Sequence, residues 1–574
     1  MGRSPTTPAL LALALAAAVA SPASADTTYR SRPDLSPPHL NITIPCNGRC
    51  APGYLFVSPF TTYGEPDDRV SNQVAPYILD SAGDLVWSGF GYFAGWTCNL
   101  QAARFQGQDV LFSFEGLHNG NHGHGHGRHA LLDDHYSVVR VLRAGGHRVS
   151  DKHEFAIVDE TTALLQIYEP VQRNLAAYGG DDAQTWIVDA RFQELDITTG
   201  DVVFEWSSLD HVSPDESALS LPRGLAGVGR SSATAWDYFH INSVAKGADG
   251  HYLVSARHAS TIFKISGTDG SVIWRLGGNH SDFALGDGVR FGFQHHARYF
   301  VEGSDGGADV ISVFDNSVYG SESAGRGREI RINPYSRGKY IRLDHAAQTA
   351  TLDRALEPPA VAVPDRARGD PPILTKSQGS LQSLPGGGDL VNWGSEGQVT
   401  EYDAAGTPVF HAWLGRGFLR DKLQNYRAFR FNWTGYAAET PAVYAEQQPA
   451  AGASDAVDAG GAVRLFVSWN GDTVTRAWRF SWGEQPAAGD TTGAKDTVWK
   501  AKVVPRRGFE TSTRINRARD VRIVAVKAEA LDADGRVLGV SSTVAVQQAL
   551  TKTVRKGNNR VTGQDRFRAV NNRV

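Results

Sequence analysis

Several things are scarce in this chain, and each scarcity removes a class of function. Met1 is the single methionine in 574 residues, which excludes the adaptable Met-rich surfaces of promiscuous binders. Net charge is nearly absent, since 57 basic against 61 acidic side chains leave −4. No cationic field therefore exists to hold nucleic acid, and no nucleic-acid partner is expected. Apolar runs of the about 18–20 residues that span a bilayer are missing too. The run from Ala9 to Ala20 falls short, so stable membrane insertion is not expected. That run follows Arg3 and precedes Ala23-Ser24-Ala25, a small-x-small cleavage pattern. Residues 1–25 are read as a signal peptide and the mature chain as secreted and extracellular. Cysteine is rare and odd in number: Cys46, Cys50 and Cys98 allow one disulfide and one unpaired thiol, with the pair left open. A redox or metal CxxxC site would lack its second ligand pair. No GxxxxGK[ST] loop, GxSxG elbow, HExxH helix or EF-hand loop is present, which removes nucleotide-driven and common hydrolase readings. Three sequons, Asn41-Ile-Thr, Asn279-His-Ser and Asn432-Trp-Thr, fit a secreted glycoprotein.

What the chain does have is glycine and large aromatics, with 61 Gly, 13 Trp and 18 Tyr, a turn-rich β composition. One unit recurs: a turn carrying Asp and Gly, then a short strand ending in tryptophan. It runs Asp80–Trp87, Asp196–Trp206, Thr268–Trp274 and Asp403–Trp413. A tight turn opening a β-branched strand whose Trp packs between sheets is the logic of a propeller blade. The chain is read as all-β, a β-propeller over 26–440 with a small C-terminal β domain over 441–548. An Ala/Gly/Asp-rich stretch, Ala450–Gly461, reads as a linker or long loop. Strands are expected at Val463–Trp469, Thr475–Trp482, Thr497–Val504 and Val521–Ala528. The tail 549–574, with seven Lys/Arg and one Asp, is expected to be basic and disordered.

Chemistry concentrates in a central block: Trp236-Asp-Tyr-Phe-His-Ile-Asn-Ser-Val244, Ser255-Ala-Arg-His258, Phe293-Gln-His-His-Ala-Arg298 and Phe314-Asp-Asn316. On a strand, His240 and Asn242 are two apart and would share a face, with Arg257 nearby in the same blade. With Gly53-Tyr-Leu-Phe, Asp151-Lys-His-Glu-Phe155 and Ser468-Trp-Asn-Gly471, this block resembles the arylsulfate sulfotransferase family, especially its secreted fungal-type branch. The resemblance implies a six-bladed propeller and a histidine nucleophile that moves a sulfuryl group from an aryl sulfate to a phenol. It implies no adenylyl sulfate cofactor and no metal. It makes His295 the nucleophile, with His296 one alignment step away. It assigns His240, Asn242 and Arg257 to binding the sulfate and His153 to the remaining active-site histidine, although bacterial members usually read His-Asp where this chain has His153-Glu154.

Elementary chemistry is compatible with that assignment. Sulfuryl transfer passes through a loose in-line transition state in which the protein positions groups and stabilises oxygens. A neutral imidazole is a fit nucleophile near pH 7, and the Arg257 fork matches sulfate oxygens. Asn242 would add a neutral donor. His153 or His240 would exchange protons with the phenol, and Glu154, Asp315 and Asn316 would either orient histidines or close turns. Trp236, Tyr238 and Phe293 are expected mainly as core residues. The tract His118–His129, with alternating Gly and His, is read as a solvated loop, because its glycines leave no fixed geometry for a metal, with adventitious Zn or Ni binding as the alternative. The competing function classes are a non-catalytic propeller that binds a ligand or protein partner and, more weakly, a metal- or quinone-dependent propeller enzyme.

Overall fold

The computed structural model describes residues 27–61, 73–120, 122–221, 228–301, 309–320, 329–360, 373–420, 422–448, 461–486, 497–518 and 520–548. The expected signal peptide and basic tail lie outside these residues, as does the expected linker apart from Gly461. Among the described residues, helix is confined to one turn, Ser208–His211, and a few 3-10 turns; the other regular elements are strands, joined by turns and loops.

Six sheets follow one another along the chain. They begin at Tyr54–Val57, Trp96–Phe105, Phe155–Val158, Ile241–Lys246, His295–Val301 and Ser380–Ser383. Each touches the next through these leading strands, and the sixth returns to the first where Asp389–Asn392 meets Phe429–Phe431. The architecture is an all-β, propeller-like ring. Two strands far apart in sequence close it. Phe429–Phe431 pairs antiparallel with Tyr54–Val57 in the first sheet, and Asn41–Ile44 pairs with Pro408–Trp413 on the outside of the sixth.

The recurring turn explains itself locally. Asp80 Oδ1 accepts from the N–H of Ala82 and Asp84 at 2.8 and 2.9 Å, Asp196 Oδ1 from Thr198 and Thr199 at 2.7 and 2.8 Å, and Asp403 Oδ1 from Ala405 and Thr407 at 3.0 and 2.9 Å. Such Asx turns satisfy backbone donors that the hairpin leaves over, and the glycine that follows takes a left-handed φ, +85° at Gly83 and +77° at Gly406. Trp87, Trp206, Trp274 and Trp413, at the ends of the strands that follow, are all buried. Each such burial contributes about 2–3 kcal/mol to the sheet-to-sheet packing.

Beyond Ala442 two further four-stranded sheets are built around a core of Leu465, Val467, Trp478, Phe480, Val526 and Ala528. The expected strands appear here as Ala462–Ser468, Ala477–Pro486, Val498–Pro505 and Val521–Leu531, joined by Ala442–Gln447, Glu510–Asn516 and Val537–Val540, which the sequence reading missed. The Ser468–Gly471 motif is a clamp between this region and the ring. Asn470 accepts from the Ser88 N–H at 2.8 Å and donates to its carbonyl at 2.9 Å. Gly471 passes so close to Tyr136 that a Cβ there would stand 2.4 Å from the ring.

Across the ring, the buried carboxylate of Glu154 receives Arg427 Nη1 at 3.0 Å, Arg298 Nη2 at 2.7 Å and the Val244 N–H at 3.1 Å. Burial opposes its charge, but the two guanidinium groups hold its pKa below the ordinary value. Removing one partner of such a network would cost about 3–5 kcal/mol. Three of the converging leading strands are thereby tied together at one level of the ring.

Candidate active site

At the ends of the leading strands the backbone departs from ordinary geometry. His240, Phe293, His296 and Gln378 have φ of +56°, +54°, +54° and +65°. None of them is glycine, and each such conformation costs about 1–3 kcal/mol, strain that concentrates at functional sites. It also corrects the strand reading of His240 and Asn242. The strand is Ile241–Lys246, it bulges between Ile241 and Ser243, and His240 stands just before it in a left-handed turn that aims its ring at its neighbours.

These neighbours are histidines. The His240 ring lies 4.9 Å from that of His153, edge to face, and 4.4 Å from that of His258. Arg257, just past the strand Tyr252–Ala256, donates its backbone N–H to the His240 carbonyl at 2.9 Å. Its Nη1 is 2.9 Å from His258 Nε2, its Nη2 donates to the Lys376 carbonyl at 3.0 Å, and its Nε is buried with no hydrogen-bond partner among the described residues. His295 is coupled electrostatically to Arg257, His153 and His240. Asn242 donates its Nδ2 to the Gln294 carbonyl at 2.6 Å, immediately before His295, and its buried Oδ1 has no partner among the described residues. One of the N–H groups expected to serve the sulfate is thus spent on the backbone, while a bare acceptor remains. His296 turns away: its Nδ1 is 3.1 Å from the Leu381 carbonyl and its ring packs against Phe429. His153, His240, His295, Arg257 and Asn242 therefore belong to one cluster, and His296 faces elsewhere.

Hydrogen bonds fix the tautomers. Asn316 commits Nδ2 to the carbonyls of Thr375 and Gln378 at 3.1 and 2.9 Å, so its Oδ1 faces His295 Nδ1 at 2.7 Å. That nitrogen must carry the proton, and Nε2 presents a lone pair, to which the Gln378 N–H donates at 3.2 Å. The same logic puts the proton on Nδ1 of His240, 2.5 Å from Asp237 Oδ2, and on Nδ1 of His153, 2.5 Å from Asp151 Oδ1. It also puts it on Nδ1 of His258, 2.6 Å from the Asp237 carbonyl. Of Glu154, Asp315 and Asn316, only Asn316 orients a histidine; Asp315 pairs with the buried Lys339 at 2.8 Å.

Burial keeps these rings uncharged. It pushes His240 down to about 3, against the pull of Asp237. Burial, with Lys152 for His153, His240 for His258 and Arg257 for His295, holds those three well below the ordinary histidine range. Burial also opposes the charge of Asp237, but His240 and His258 beside it hold its carboxyl well below the usual value. The site is thus a set of neutral imidazoles whose Nε2 lone pairs face the Gln378 N–H at His295, Arg257 Nη1 at His258 and Lys152 Nζ, 3.3 Å away, at His153, with Lys152 also 4.5 Å over the Tyr426 ring.

Several members were missed in the sequence. Asp237, His258 and Lys152 lay inside quoted motifs, Tyr168 and Tyr426 lay outside all of them, and the signal that could have found Asp237 is its three-residue spacing from His240. The largest miss is the His/Gly tract. It is not a solvated loop but two paired strands, Gln108–Asn119 and His124–Leu132. Its glycines alternate because one strand face is packed too tightly for a Cβ: at Gly125 one would stand 2.9 Å from Lys152 Cβ, at Gly127 2.1 Å from the Glu115 carbonyl. Period-two glycine thus marks close approach rather than flexibility. On this strand His124 stacks 3.9 Å over Tyr168 and reaches Asp237 Oδ2 at 2.9 Å. Trp236 and Tyr238 are core, as expected. Phe293 packs 5.3 Å from Tyr319, over which the Arg257 guanidinium lies at 5.1 Å. The disulfide is Cys46–Cys50, and Cys98 is a buried thiol that burial pushes up to about 12.

A ring of β-sheets whose strand ends converge on neutral histidines and a guanidinium defines a class of protein built to handle an anionic group. The family model for arylsulfotransferase (ASST) matches residues 101–415, more than half of the chain, and the chain belongs to that family. A search of curated proteins returns no match. Among solved structures, a protein of unknown function from Bacteroides caccae overlaps at 11% identity, covering 66% of this chain and 98% of that one with a TM-score of 0.35. A GH43 protein from Bacillus licheniformis overlaps at 8% identity over 79% and 90% with a TM-score of 0.29. A protein from Lactobacillus plantarum does so at 11% over 66% and 99% with a TM-score of 0.30. Overlaps this weak carry no weight for fold or chemistry.

Proposed function

We propose that the chain is a secreted enzyme that moves a sulfuryl group from an aryl sulfate to a phenol by a ping-pong route through a sulfohistidine on His295, without an adenylyl sulfate cofactor. The observation that carries this reading is the set of buried imidazoles with protonated Nδ1 and lone pairs on Nε2, gathered around Arg257. The donor's sulfate would take the unpartnered Arg257 Nε–H and leave His295 Nε2 in line with the S–O bond. Attack forms the N–S bond as the S–O bond breaks, and the electron pair leaves on the phenolate oxygen. In the second half, the acceptor oxygen attacks the sulfuryl group, the N–S bond breaks, and the pair returns to Nε2.

His240 suits the proton work. Among the described residues its Nε2 has no hydrogen-bond partner, and an anionic ester beside it joins Asp237 in favouring the imidazolium that burial alone disfavours. The bare Asn242 Oδ1 can accept the phenol O–H. In the second half-reaction, the Gln378 N–H, now 3.2 Å from Nε2, would be placed to bond a sulfuryl oxygen. His296 is the weaker candidate for the nucleophile because it faces Leu381 and Phe429.

The test is incubation of the purified chain with 4-nitrophenyl sulfate, with and without excess phenol. Release of nitrophenolate that depends on phenol, with phenyl sulfate formed in equal amount, is expected. Absence of release over a panel of aryl sulfates would refute the reading.

A further inference from the structure

Asp237 does more than hold His240. Its Oδ2 stands 2.5 Å from His240 Nδ1 and 2.9 Å from His124 Nε2, and the ligand atoms of the three residues all lie within 4.8 Å of one another. Its Oδ1 is buried and, among the described residues, bonded to nothing. Two imidazoles and one carboxylate converging on a point are a donor set for divalent transition metals, which imidazole nitrogen suits better than it suits magnesium or calcium.

We propose that His124, Asp237 and His240 form a binding site for a divalent ion of the zinc class, and that filling it stops the transfer reaction. The second half of this statement rests on the function proposed above; the first does not. Three features favour the site over a chance cluster. The strand that carries His124 is held close: a Cβ at Gly123 would stand 3.8 Å from His240 Cε1, and Gly125 lies against Lys152. The His124 ring is fixed by its stack on Tyr168, 3.9 Å away and inclined by 13°. Its side chain is 19% exposed, which gives an ion a way in from solvent.

Binding requires no oxidant and no net loss of a proton. The ion takes the place of the two hydrogen-bonding protons, on His240 Nδ1 and His124 Nε2, and each ring shifts its proton to its other nitrogen. Asp237 Oδ2, or the bare Oδ1, supplies the charge, and water fills the remaining positions. The consequence for the reaction follows from the tautomer. With metal on Nδ1, His240 carries its proton on Nε2 and has no lone pair to receive a phenol proton.

Another group of the same kind among the described residues, Asp133, Asp134 and His135, sits on an exposed turn and serves as the internal control. Titrating the purified, EDTA-treated chain with Co2+ and following the visible absorption reads binding without reference to activity. One equivalent is expected. Binding should weaken at least about tenfold in His124→Gln and vanish in Asp237→Asn, while His135→Gln leaves it unchanged. Zn2+ should slow phenol-dependent nitrophenolate release by the wild-type chain at one equivalent, EDTA should restore it, and His124→Gln should need correspondingly more Zn2+ relative to its own metal-free rate. No binding, or binding lost in His135→Gln and kept in His124→Gln, overturns the site. Binding at the site with an unimpaired rate overturns the inhibition. A wild-type chain that binds Co2+ as described but transfers no sulfate would leave the site standing and refute only the function.

Discussion

The two halves of the histidine cluster are held by different partners. His295, at the head of the fifth sheet, leans on an amide, Asn316 Oδ1 at 2.7 Å; His240, ahead of the fourth, leans on a carboxylate, Asp237 Oδ2 at 2.5 Å. Both contacts set the same tautomer. They differ in what they do to a positive charge on the ring. A carboxylate stabilises imidazolium strongly, and Asp237 is what pulls His240 up against burial. An amide does so only weakly. A nucleophile must stay neutral before attack, and its sulfuryl adduct, an imidazolium, must remain ready to part. An acid-base residue must instead be able to hold a proton. On the proposed reading, the difference in partners divides the labour: His295 would carry the group and His240 the proton. His153, held by Asp151, belongs with His240 in this respect.

The sharpest way to break the division is to remove the carrier. His295→Ala should lower transfer by about 10⁴-fold or more with an unchanged circular dichroism spectrum, because the leading strands form without it. Asp237→Asn should cost about 100-fold with donors whose phenol has a pKa near 10 and far less with nitrophenyl donors, whose leaving group needs no proton. Equal losses for both donors would deny His240 its role. Asn316→Asp makes the nucleophile's partner like His240's. The added charge raises the His295 pKa, so the ring protonates at higher pH and the acid limb of the kcat/KM profile should move upward, with about a tenfold loss near pH 7. An unmoved limb would mean that the partner's charge is irrelevant.

The burial common to both halves gives a smaller, global effect. Burial holds His153, His240, His258, His295 and His296 below their ordinary 6.5, with His129 and His411 at about 4. As pH falls below 6.5 the unfolded chain takes up protons that the folded chain refuses. Stability should therefore be full above about 6.5 and decline steadily toward pH 4, as urea midpoints across that range would show. The smallest effect concerns Cys98. With its thiol buried and pushed up to about 12, it should resist maleimides in the native chain and react on unfolding.

What was legible in the sequence was local. The Asp-Gly turns that open the Trp-ending strands announce themselves because each Asx turn is made within a few residues. The same turn recurs at Asp532–Gly535, with Gly535 at φ +79°, outside the ring, so the turn marks hairpins and not the ring itself. Ring closure was not legible, since it depends on Phe429–Phe431 finding Tyr54–Val57 across the whole ring. His240, Asn242, Arg257, His295 and His153 could be singled out by motif, and Asn316 as one of three residues able to orient a histidine, but not which histidine it holds, nor that Asp237 holds His240. Asp237 and Asn316 act through register and strained φ, which only the assembled sheets decide. The His/Gly tract misled because glycine serves both flexibility and close packing, and the neighbour that chooses between them, Lys152, belongs to a different part of the chain.

The measurement that goes most directly to the division of labour is a rapid quench of the enzyme with 4-nitrophenyl sulfate in the absence of phenol, followed by tryptic mapping. The account predicts a gain of about 80 Da, one sulfuryl group, on the peptide Phe291–Arg298, located by fragmentation on His295. The same gain on Ser231–Lys246, which carries His240, or on the peptide that begins at His153, would contradict it.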